Sequence, residues 1–194
     1  PLLLQFHTRP VTHVRFNRDG DLFLSCSNDK KVCLIRTDTG ERIGTYEGHE
    51  GAVKSCDINL DSTVVVSAGA DSYVYFYNAE TGEILWSTIT DKECKEIDIN
   101  CDPGISAAVT AVPGAVIAGH LDGMIRVYDK DNGDILWSFN SLGEYESISG
   151  TPASGGSFSG SGPSIRNGFM AINSGYGIYN HMPGNALLLF SIVN

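Results

Sequence analysis

The sequence has no long apolar run and few basic residues. No stretch of the 194 residues approaches the roughly 18 to 20 apolar positions that a membrane-spanning helix needs, and the N-terminus has no basic segment followed by a long apolar one. Lys and Arg number 13 against 23 Asp and Glu, and the only adjacent basic pair, Lys30-Lys31, falls in a predicted turn. Because nucleic-acid affinity depends on clustered cations, we expect this chain not to bind nucleic acids. From the lack of long apolar runs we expect a soluble chain that has no targeting segment and does not bind membranes.

Cysteine is sparse and irregularly spaced. The five cysteines, an odd number, fit no disulfide framework, and the sequence contains no Cys-x-x-Cys pair. Cys26, Cys33 and Cys56 lie in apolar stretches, where a free thiol usually acts as a small buried side chain. Cys94 and Cys101 flank a short loop and could be bridged or free. Without a Cys/His motif of the usual spacing, we predict no metal centre.

An internal repeat of 42 residues is present instead. A His, a Ser, an Asp and a Thr-Gly-Glu tripeptide each recur at this spacing. They stand at His7 and His49, Ser25 and Ser67, Asp29 and Asp71, and residues 39–41 and 81–83. Within each unit, alternating apolar residues between turn residues predict four short strands. Four antiparallel strands per unit of this length are typical of a β-propeller blade.

After Trp86 the repeat continues at a longer spacing. Asp71 is followed by Asp122 after 51 residues instead of 42, and the extra nine fall in residues 91–105, which we predict to be a loop inserted between blades. Strand patterns resume in residues 106–140, separated by turn dipeptides such as Asp122-Gly123. In residues 141–194 only three strands are predicted.

These units predict an all-β protein, a four-bladed β-propeller with four antiparallel strands per blade in one domain. The predicted blades span residues 7–47, 48–90, 106–140 and 141–194. The Leu-rich residues 1–6 form a strand that has no blade of its own. Since an unpaired apolar edge promotes aggregation, we predict that this strand closes the ring as the outer strand of the last blade.

The first two units resemble the WD40 family, in which a His, a Ser or Thr, an Asp and a Trp are hydrogen-bonded within each blade. The matching residues are His49, Ser67, Asp71 and Tyr77 in the second unit and His7, Ser25, Asp29 and Ile35 in the first. The resemblance implies a structural role for both histidines instead of metal binding or general-base catalysis. Because Ile35 has no polar atom, the network of the first unit is expected to be partial.

Residues 1 to about 85 are more specifically similar to the i subunit of eukaryotic translation initiation factor three. The similarity rests on Leu2-Leu3-Leu4, on His7-Thr8-Arg9 and on the Gly-Glu-Arg-Ile-Gly-Thr run of residues 40–45. This resemblance implies a module for protein–protein interaction.

Residues from about 86 to 194 resemble the C-terminal blades of bacterial polyvinyl-alcohol dehydrogenases that use pyrroloquinoline quinone. The similarity is carried by the Asn-Gly-Asp-Ile-Leu-Trp run ending at Trp137 and by residues 173–177 and 182–190. It implies that Trp86 and Trp137 each pack against the Gly peptide of a neighbouring blade. Asp122 is interpreted as a turn residue with a structural role, since turns favour Asp.

The two resemblances lead to the hypothesis of an engineered chimera joined near Trp86, a propeller scaffold without catalytic activity. One alternative is an interaction module derived from the initiation factor. A second is an oxidoreductase using pyrroloquinoline quinone and calcium, which is disfavoured because a four-bladed axis is too narrow for that cofactor. We assign no catalytic, cofactor-binding or metal-ligating residue. No partner is required, and we predict a monomer, with a homodimer as the alternative.

Overall fold

The computed structural model describes residues 3–89, 104–175 and 181–191. All regular elements in these ranges are β-strands, and they form four larger sheets, numbered 1 to 4. Sheet 1 contains β1 (Val11–Phe16), β2 (Leu22–Ser27), β3 (Val32–Arg36) and β4 (Arg42–Tyr46). Sheet 2 contains β5 (Val53–Ile58), β6 (Val64–Gly69), β7 (Tyr73–Asn78) and β8 (Ile84–Ile89). The all-β prediction is confirmed.

The second half of the chain adds two more large sheets and two small ones. After β9 (Ser106–Ala107), sheet 3 contains β10 (Thr110–Val112), β11 (Ala115–Gly119), β12 (Met124–Asp129) and β13 (Ile135–Asn140). The chain then forms β14 (Gly143–Glu146), β15 (Pro152–Gly155) and β16 (Ser159–Gly160), and sheet 4 contains β17 (Ser164–Arg166), β18 (Phe169–Ser174) and β19 (Ala186–Ser191). β14 pairs with β15, and β9 pairs in parallel with β16. These two small sheets were not predicted.

Sheets 1, 2 and 3 repeat one backbone pattern. In each, four consecutive strands are antiparallel neighbours. The register slips at the same step between the third and fourth strands, at Leu34/Ile35, Phe76/Tyr77 and Val127/Tyr128. The preceding turn contains a glycine with φ near +75°, namely Gly40, Gly82 and Gly133. Since only glycine adopts this backbone conformation without strain, the Thr-Gly and Asn-Gly pairs specify these turns locally.

Three clusters of buried side chains lie between successive sheets. Leu24 and Leu34 of sheet 1 pack against Cys56 and Val65 of sheet 2 in the first cluster. The second cluster joins sheets 2 and 3, and the third joins sheets 3 and 4, where Phe158 is fully buried. Among the described residues no such cluster joins sheet 4 to sheet 1, so the sheets form a series with two free ends.

The predicted closing strand is not formed by the described part of residues 1–6. Residues 3–10 lie outside any strand, and Leu3 is 98% exposed. The Phe6 ring lies 5.5 Å from the Arg42 guanidinium carbon, so the segment is held against sheet 1. In the described part of the chain sheet 4 consists of three strands, and β19 is its edge.

Two further expectations concern other parts of the chain. The loop predicted at residues 91–105 falls mostly in residues 90–103, which lie outside the described ranges, as do Cys94 and Cys101. Among the residues that are described, no helix is long and apolar enough to cross a membrane.

Candidate functional site

The repeated His, Ser and Asp of sheet 2 form one hydrogen-bonded network. His49 Nε2 lies 2.8 Å from Ser67 Oγ, and His49 Nδ1 lies 2.9 Å from Asp71 Oδ2. The backbone amide of Glu50 also donates to Asp71, at 2.8 Å. Burial raises the pKa of Asp71, but the hydrogen bonds from His49 and from backbone amides outweigh it, so this pKa lies below its ordinary value of 3.8. The network joins the segment before β5, through His49, to β6 and to the turn between β6 and β7.

Sheet 1 repeats this arrangement 42 residues earlier. His7 Nε2 lies 2.8 Å from Ser25 Oγ, and His7 Nδ1 lies 3.0 Å from Asp29 Oδ2. The fourth position differs between the two sheets, since Ile35 is fully buried in sheet 1 without a polar atom. In sheet 2 this position is Tyr77, which is fully buried beside Tyr46 at a ring-centroid distance of 5.3 Å. Burial raises the pKa of both phenols, to about 12 for Tyr46.

Each network has the order of contacts found in serine hydrolases, with the imidazole between the hydroxyl and the carboxylate. In those enzymes a Ser hydroxyl bonds to one His nitrogen and an Asp carboxylate to the other. Ser67, however, is fully buried and Ser25 is 6% exposed. A nucleophilic hydroxyl must reach its substrate, and these side chains are enclosed within their sheets. The geometry therefore serves to link strands and does not present a nucleophile.

Sheet 3 contains a different buried polar network. Arg126 Nη2 donates to Asp122 Oδ2 at 2.8 Å, and both side chains are at most 2% exposed. His120 Nε2 lies 3.0 Å from Tyr128 Oη. Burial, with a smaller contribution from Arg126, lowers the pKa of His120 well below its ordinary value of 6.5, so the imidazole is neutral at pH 7. Asp122 lies in a turn and carries the buried ion pair with Arg126.

Only one sequence signal could have revealed this network. In sheet 3 the strand Met124–Asp129 carries Arg126 between Ile125 and Val127, within an otherwise apolar run. A charged residue inside a predicted buried strand requires a partner. The nearest carboxylate in the sequence at a turn is Asp122.

The structure brings together three side chains of types that can ligate metals and that are far apart in the sequence. Ligand atoms of His13, Cys26 and Cys56 all lie within 4.8 Å of one another, and both cysteines are fully buried. Two thiols and one imidazole are donors that suit zinc or copper(I). Closed structural zinc sites use four protein ligands, so this set supplies one ligand fewer than such a site. Sequence spacing missed the set because its members come from β1, β2 and β5.

Asp57 connects the first strands of three sheets. Its carboxylate accepts a hydrogen bond from Arg15 Nε of sheet 1 at 3.0 Å and another from the Ala111 amide of sheet 3 at 2.8 Å. The side chain lies on β5 of sheet 2 and is buried. Ser55 on the same strand accepts from the Val109 amide at 3.0 Å. These bonds fix the relative positions of sheets 1 to 3.

Trp86 joins sheet 2 to sheet 3. Its indole Nε1 donates to the Lys130 carbonyl at 2.7 Å, and its ring stacks on Phe76 at a centroid distance of 4.4 Å. The ring also covers Gly133, where an added Cβ would lie 2.6 Å from Trp86 Cε3. Trp86 is 8% exposed. This is the kind of contact that the quinoprotein resemblance implies.

Trp137 occupies the equivalent position in sheet 3 but is 40% exposed. It contacts Phe190 of sheet 4 edge-to-face at 5.4 Å and lines a groove of about 750 Å³. No described glycine packs beneath Trp137 as Gly133 packs beneath Trp86. The Gly contact expected for Trp137 is therefore not seen in the described part of the chain.

Comparison with family models shows which family the repeated sheets belong to. A model described as outer membrane protein assembly factor BamB matches residues 28–157, more than half of the chain. The chain belongs to this family. A WD40 model, described as a WD domain or G-beta repeat, matches residues 2–36. Because the BamB-type match runs through Trp86, one repeat pattern is present on both sides of the predicted junction.

Several curated relatives are named as subunits of a translation factor. Eukaryotic translation initiation factor 3 subunit I of Schizosaccharomyces pombe is 42% identical over 110 residues, which cover 57% of this chain and 34% of the relative. The Caenorhabditis elegans subunit is 49% identical over 87 residues, covering 45% and 27%. The Neurospora crassa subunit is 29% identical over 182 residues, covering 71% and 53%. The chain thus spans about a quarter to a half of the length of these relatives.

Solved structures show a similar arrangement of sheets. The computationally designed Ika4 protein matches with a TM-score of 0.67 at 16% identity, covering 98% of this chain and 96% of the other. BamB from Moraxella catarrhalis matches with a TM-score of 0.67 at 15% identity, covering 95% and 47%. At such low identity these likenesses show the fold alone, which is propeller-like.

Proposed function

We propose that this protein is a β-propeller module that binds other proteins and carries out no catalysis. The observation that carries the proposal is the burial of the reactive side chains in the described residues. In sheet 2 the buried Ser67 is hydrogen-bonded to His49. In sheet 3 the buried Arg126 is hydrogen-bonded to Asp122. The relatives named as initiation factor subunits work as parts of an assembly, in keeping with a role in binding.

The proposed module has four blades in one domain, formed by sheets 1 to 4 within residues 7–47, 48–90, 106–140 and 141–194. In this proposal β9 and β10 together form the innermost strand of the third blade, and β16 and β17 together form that of the fourth. The β14–β15 hairpin connects the third blade to the fourth. Three apolar clusters between four sheets support this count. The WD40-like polar residues and Trp86 have structural roles in it.

Capture by translation initiation factor subunits tests the binding role. The tagged chain is incubated with purified subunits of eukaryotic initiation factor 3, and bound subunits are identified after washing. The designed Ika4 protein, which shares the fold at 16% identity, is the matched control. We expect at least one subunit to be retained by this chain and not by the control. Equal retention by both proteins, or by neither, would contradict the proposal.

A second candidate is the engineered chimera, favoured by the distribution of identity. The match to initiation factor relatives is 49% over 87 residues but 29% over 182 residues, so it weakens as the alignment lengthens. In this proposal the chain is a scaffold assembled from two sources near Trp86. Finding the same open reading frame in an unmanipulated genome would contradict it.

Absence of catalysis is tested directly. We propose that the chain uses neither pyrroloquinoline quinone nor calcium. The protein is mixed with both, an alcohol and a redox dye, and dye reduction is followed. We expect no reduction above a protein-free blank, whereas turnover proportional to protein concentration would support the oxidoreductase alternative.

A further inference from the structure

The first sheet exposes a face that the repeat buries elsewhere. The side of sheet 1 that points away from sheet 2 is here called the front face, and it carries Val11, Val14 and Phe16, which are 51, 49 and 55% exposed. The residues 42 positions later are Val53, Cys56 and Ile58, which are 0, 0 and 7% exposed because sheet 1 packs against them. The front face of sheet 1 therefore has the composition of a face between two blades, but among the described residues no sheet packs against it.

Sheet 4 exposes the complementary side. Its rear face, the side turned away from sheet 3, carries Phe169, Leu187 and Leu189, which are 52, 73 and 68% exposed. In sheets 1 and 2 the rear faces of the third strands, β3 and β7, are covered by the following sheet. Val32, Leu34, Val74 and Phe76 there are at most 4% exposed. In propeller packing, a rear face of this kind is covered by the front face of another blade.

We propose that two copies of the chain associate head to tail, so that the front face of sheet 1 in each copy packs against the rear face of sheet 4 in the other. The contact reproduces those already present between sheets 1 and 2, 2 and 3, and 3 and 4. Repetition of a front-to-rear contact closes into a ring when the rotation per unit fits a full turn.

The number of copies follows from the share of a larger propeller-like chain that these residues match. Nearly all of this chain, 95%, superposes on 47% of the chain of BamB from Moraxella catarrhalis, and 96% superposes on 47% of the designed Ika8 protein. These 194 residues thus match just under half of a chain of that size, and two copies of this 194-residue stretch would supply what a ring of that size needs. The ring also places residues 3–6, which form no strand here, near the unpaired β19 edge of the second copy, where a fourth strand could add.

The mass of the full chain in solution tests the ring. Sedimentation equilibrium over a range of concentrations should give twice the 20.8 kDa of one chain. A mass of one chain at high concentration would overturn the proposal, because the faces would then be uncovered or closed within the monomer. Larger, concentration-dependent masses would also overturn it, since they indicate an open filament. No binding partner is needed, so this result is independent of the capture experiment.

Charged substitutions test which faces meet. Phe16→Lys and Leu189→Glu alter exposed side chains of the two end faces, so each chain should still fold, as checked by circular dichroism. Each variant alone should weaken dimerisation by roughly 100-fold or more, because each interface then buries an unpaired charge. Leu136→Glu, at a position that is 57% exposed on the outer strand β13, is the matched control and should stay dimeric.

Mixing the two variants distinguishes front-to-rear association from dimers in which front meets front or rear meets rear. A mixed dimer has one unchanged interface and one interface where Lys meets Glu, so the mixture should dimerise although neither variant does alone. If Phe16→Lys or Leu189→Glu alone leaves the mass unchanged, that face is not in the interface and the proposal fails. It also fails if the mixture remains monomeric.

Discussion

Sheets 2 and 3 carry the same motif and use it differently. Trp86 and Trp137 each end a Gly-x-Ile-Leu-Trp run on the fourth strand of a sheet, 51 residues apart. Trp86 is enclosed between Phe76 and Gly133 and donates a hydrogen bond to the next sheet. Trp137 is 40% exposed beside Phe190. The comparison teaches that burial of this Trp depends on the turn that the following sheet places beneath it, and not on the motif around the Trp itself.

The same two sheets also differ in their buried polar groups. In sheet 2 an added Cβ at Gly69 would lie 2.6 Å from His49 Nδ1, so the small residue makes room for the His–Ser–Asp network. The positions 51 residues later are Ala118 in place of Ser67 and His120 in place of Gly69. Sheet 3 therefore supplies its own imidazole from within the strand region and balances Asp122 with Arg126.

The largest effect is expected from Trp86→Ala. Removing a buried Trp leaves a cavity between sheets 2 and 3 and should lower the free energy of unfolding by about 3 to 5 kcal/mol. Urea unfolding measures the change. Trp86→Phe, which keeps an aromatic ring but loses the bond to Lys130, should lose much less. A loss below about 1 kcal/mol for Trp86→Ala, well under that expected for a buried Trp, would mean that this contact does not hold the two sheets together.

Filling the space beneath Trp86 should be the next most damaging change. Gly133→Ala places a Cβ against the indole and forces an L-residue to φ +76°, and we expect a loss of about 2 to 4 kcal/mol from overpacking and backbone strain together. Gly114→Ala is the matched control, because Gly114 has φ +84° but nothing within 4 Å of the added Cβ. Equal losses of unfolding free energy in the two variants would mean that the contact with Trp86 contributes nothing to the effect of Gly133→Ala.

Trp137→Ala should cost less than Trp86→Ala. Since this side chain is 40% exposed and keeps only part of its ring in contact with Phe139 and Phe190, we expect a loss of about 1 to 2 kcal/mol, below the range for buried aromatic residues. The comparison uses the same urea titration. A loss equal to that of Trp86→Ala would show that the two Trp residues are buried alike in solution.

The smallest effect distinguishes the polar networks through pH. Because the folded-state pKa of His120 is lowered, the unfolded chain binds a proton below pH 6.5 that the folded chain does not, so stability present above pH 6.5 is lost as the pH falls. Between pH 7 and pH 5.5 we expect His120 to account for a fall of about 1 kcal/mol.

His120→Gln provides the control for this pH effect. The variant removes the titrating group, so its stability should decline less steeply than that of the original chain over the same pH interval. The comparison of slopes is needed because burial also lowers the pKa of His13, which contributes in the same direction. Identical slopes would assign the pH dependence to groups other than His120.

Local sequence was sufficient to predict most strands and turns of sheets 1 to 3. Alternating apolar residues, Asp-Gly and Thr-Gly turns and the 42-residue spacing act over a few residues each, and the strands lie close to where these patterns predict them. Residues 106–107 and 159–160 (β9 and β16) lie within predicted strands, and only their pairing was missed. The β14–β15 sheet was missed because its four-residue strands lie in a segment rich in Gly and Ser. Such segments have little intrinsic strand preference.

The stretch ending at Trp86 shows the limit of sequence reasoning. The sequence by itself determined that the indole lies at the end of a repeat and that a glycine recurs at the matching turn of the next unit. Only the tertiary structure decided that Gly133 lies under Trp86, that His13 approaches Cys26 and Cys56, and that the described part of residues 1–6 leaves sheet 4 unclosed. Strand and turn preferences come from neighbouring residues, whereas these contacts depend on how separate sheets pack against one another.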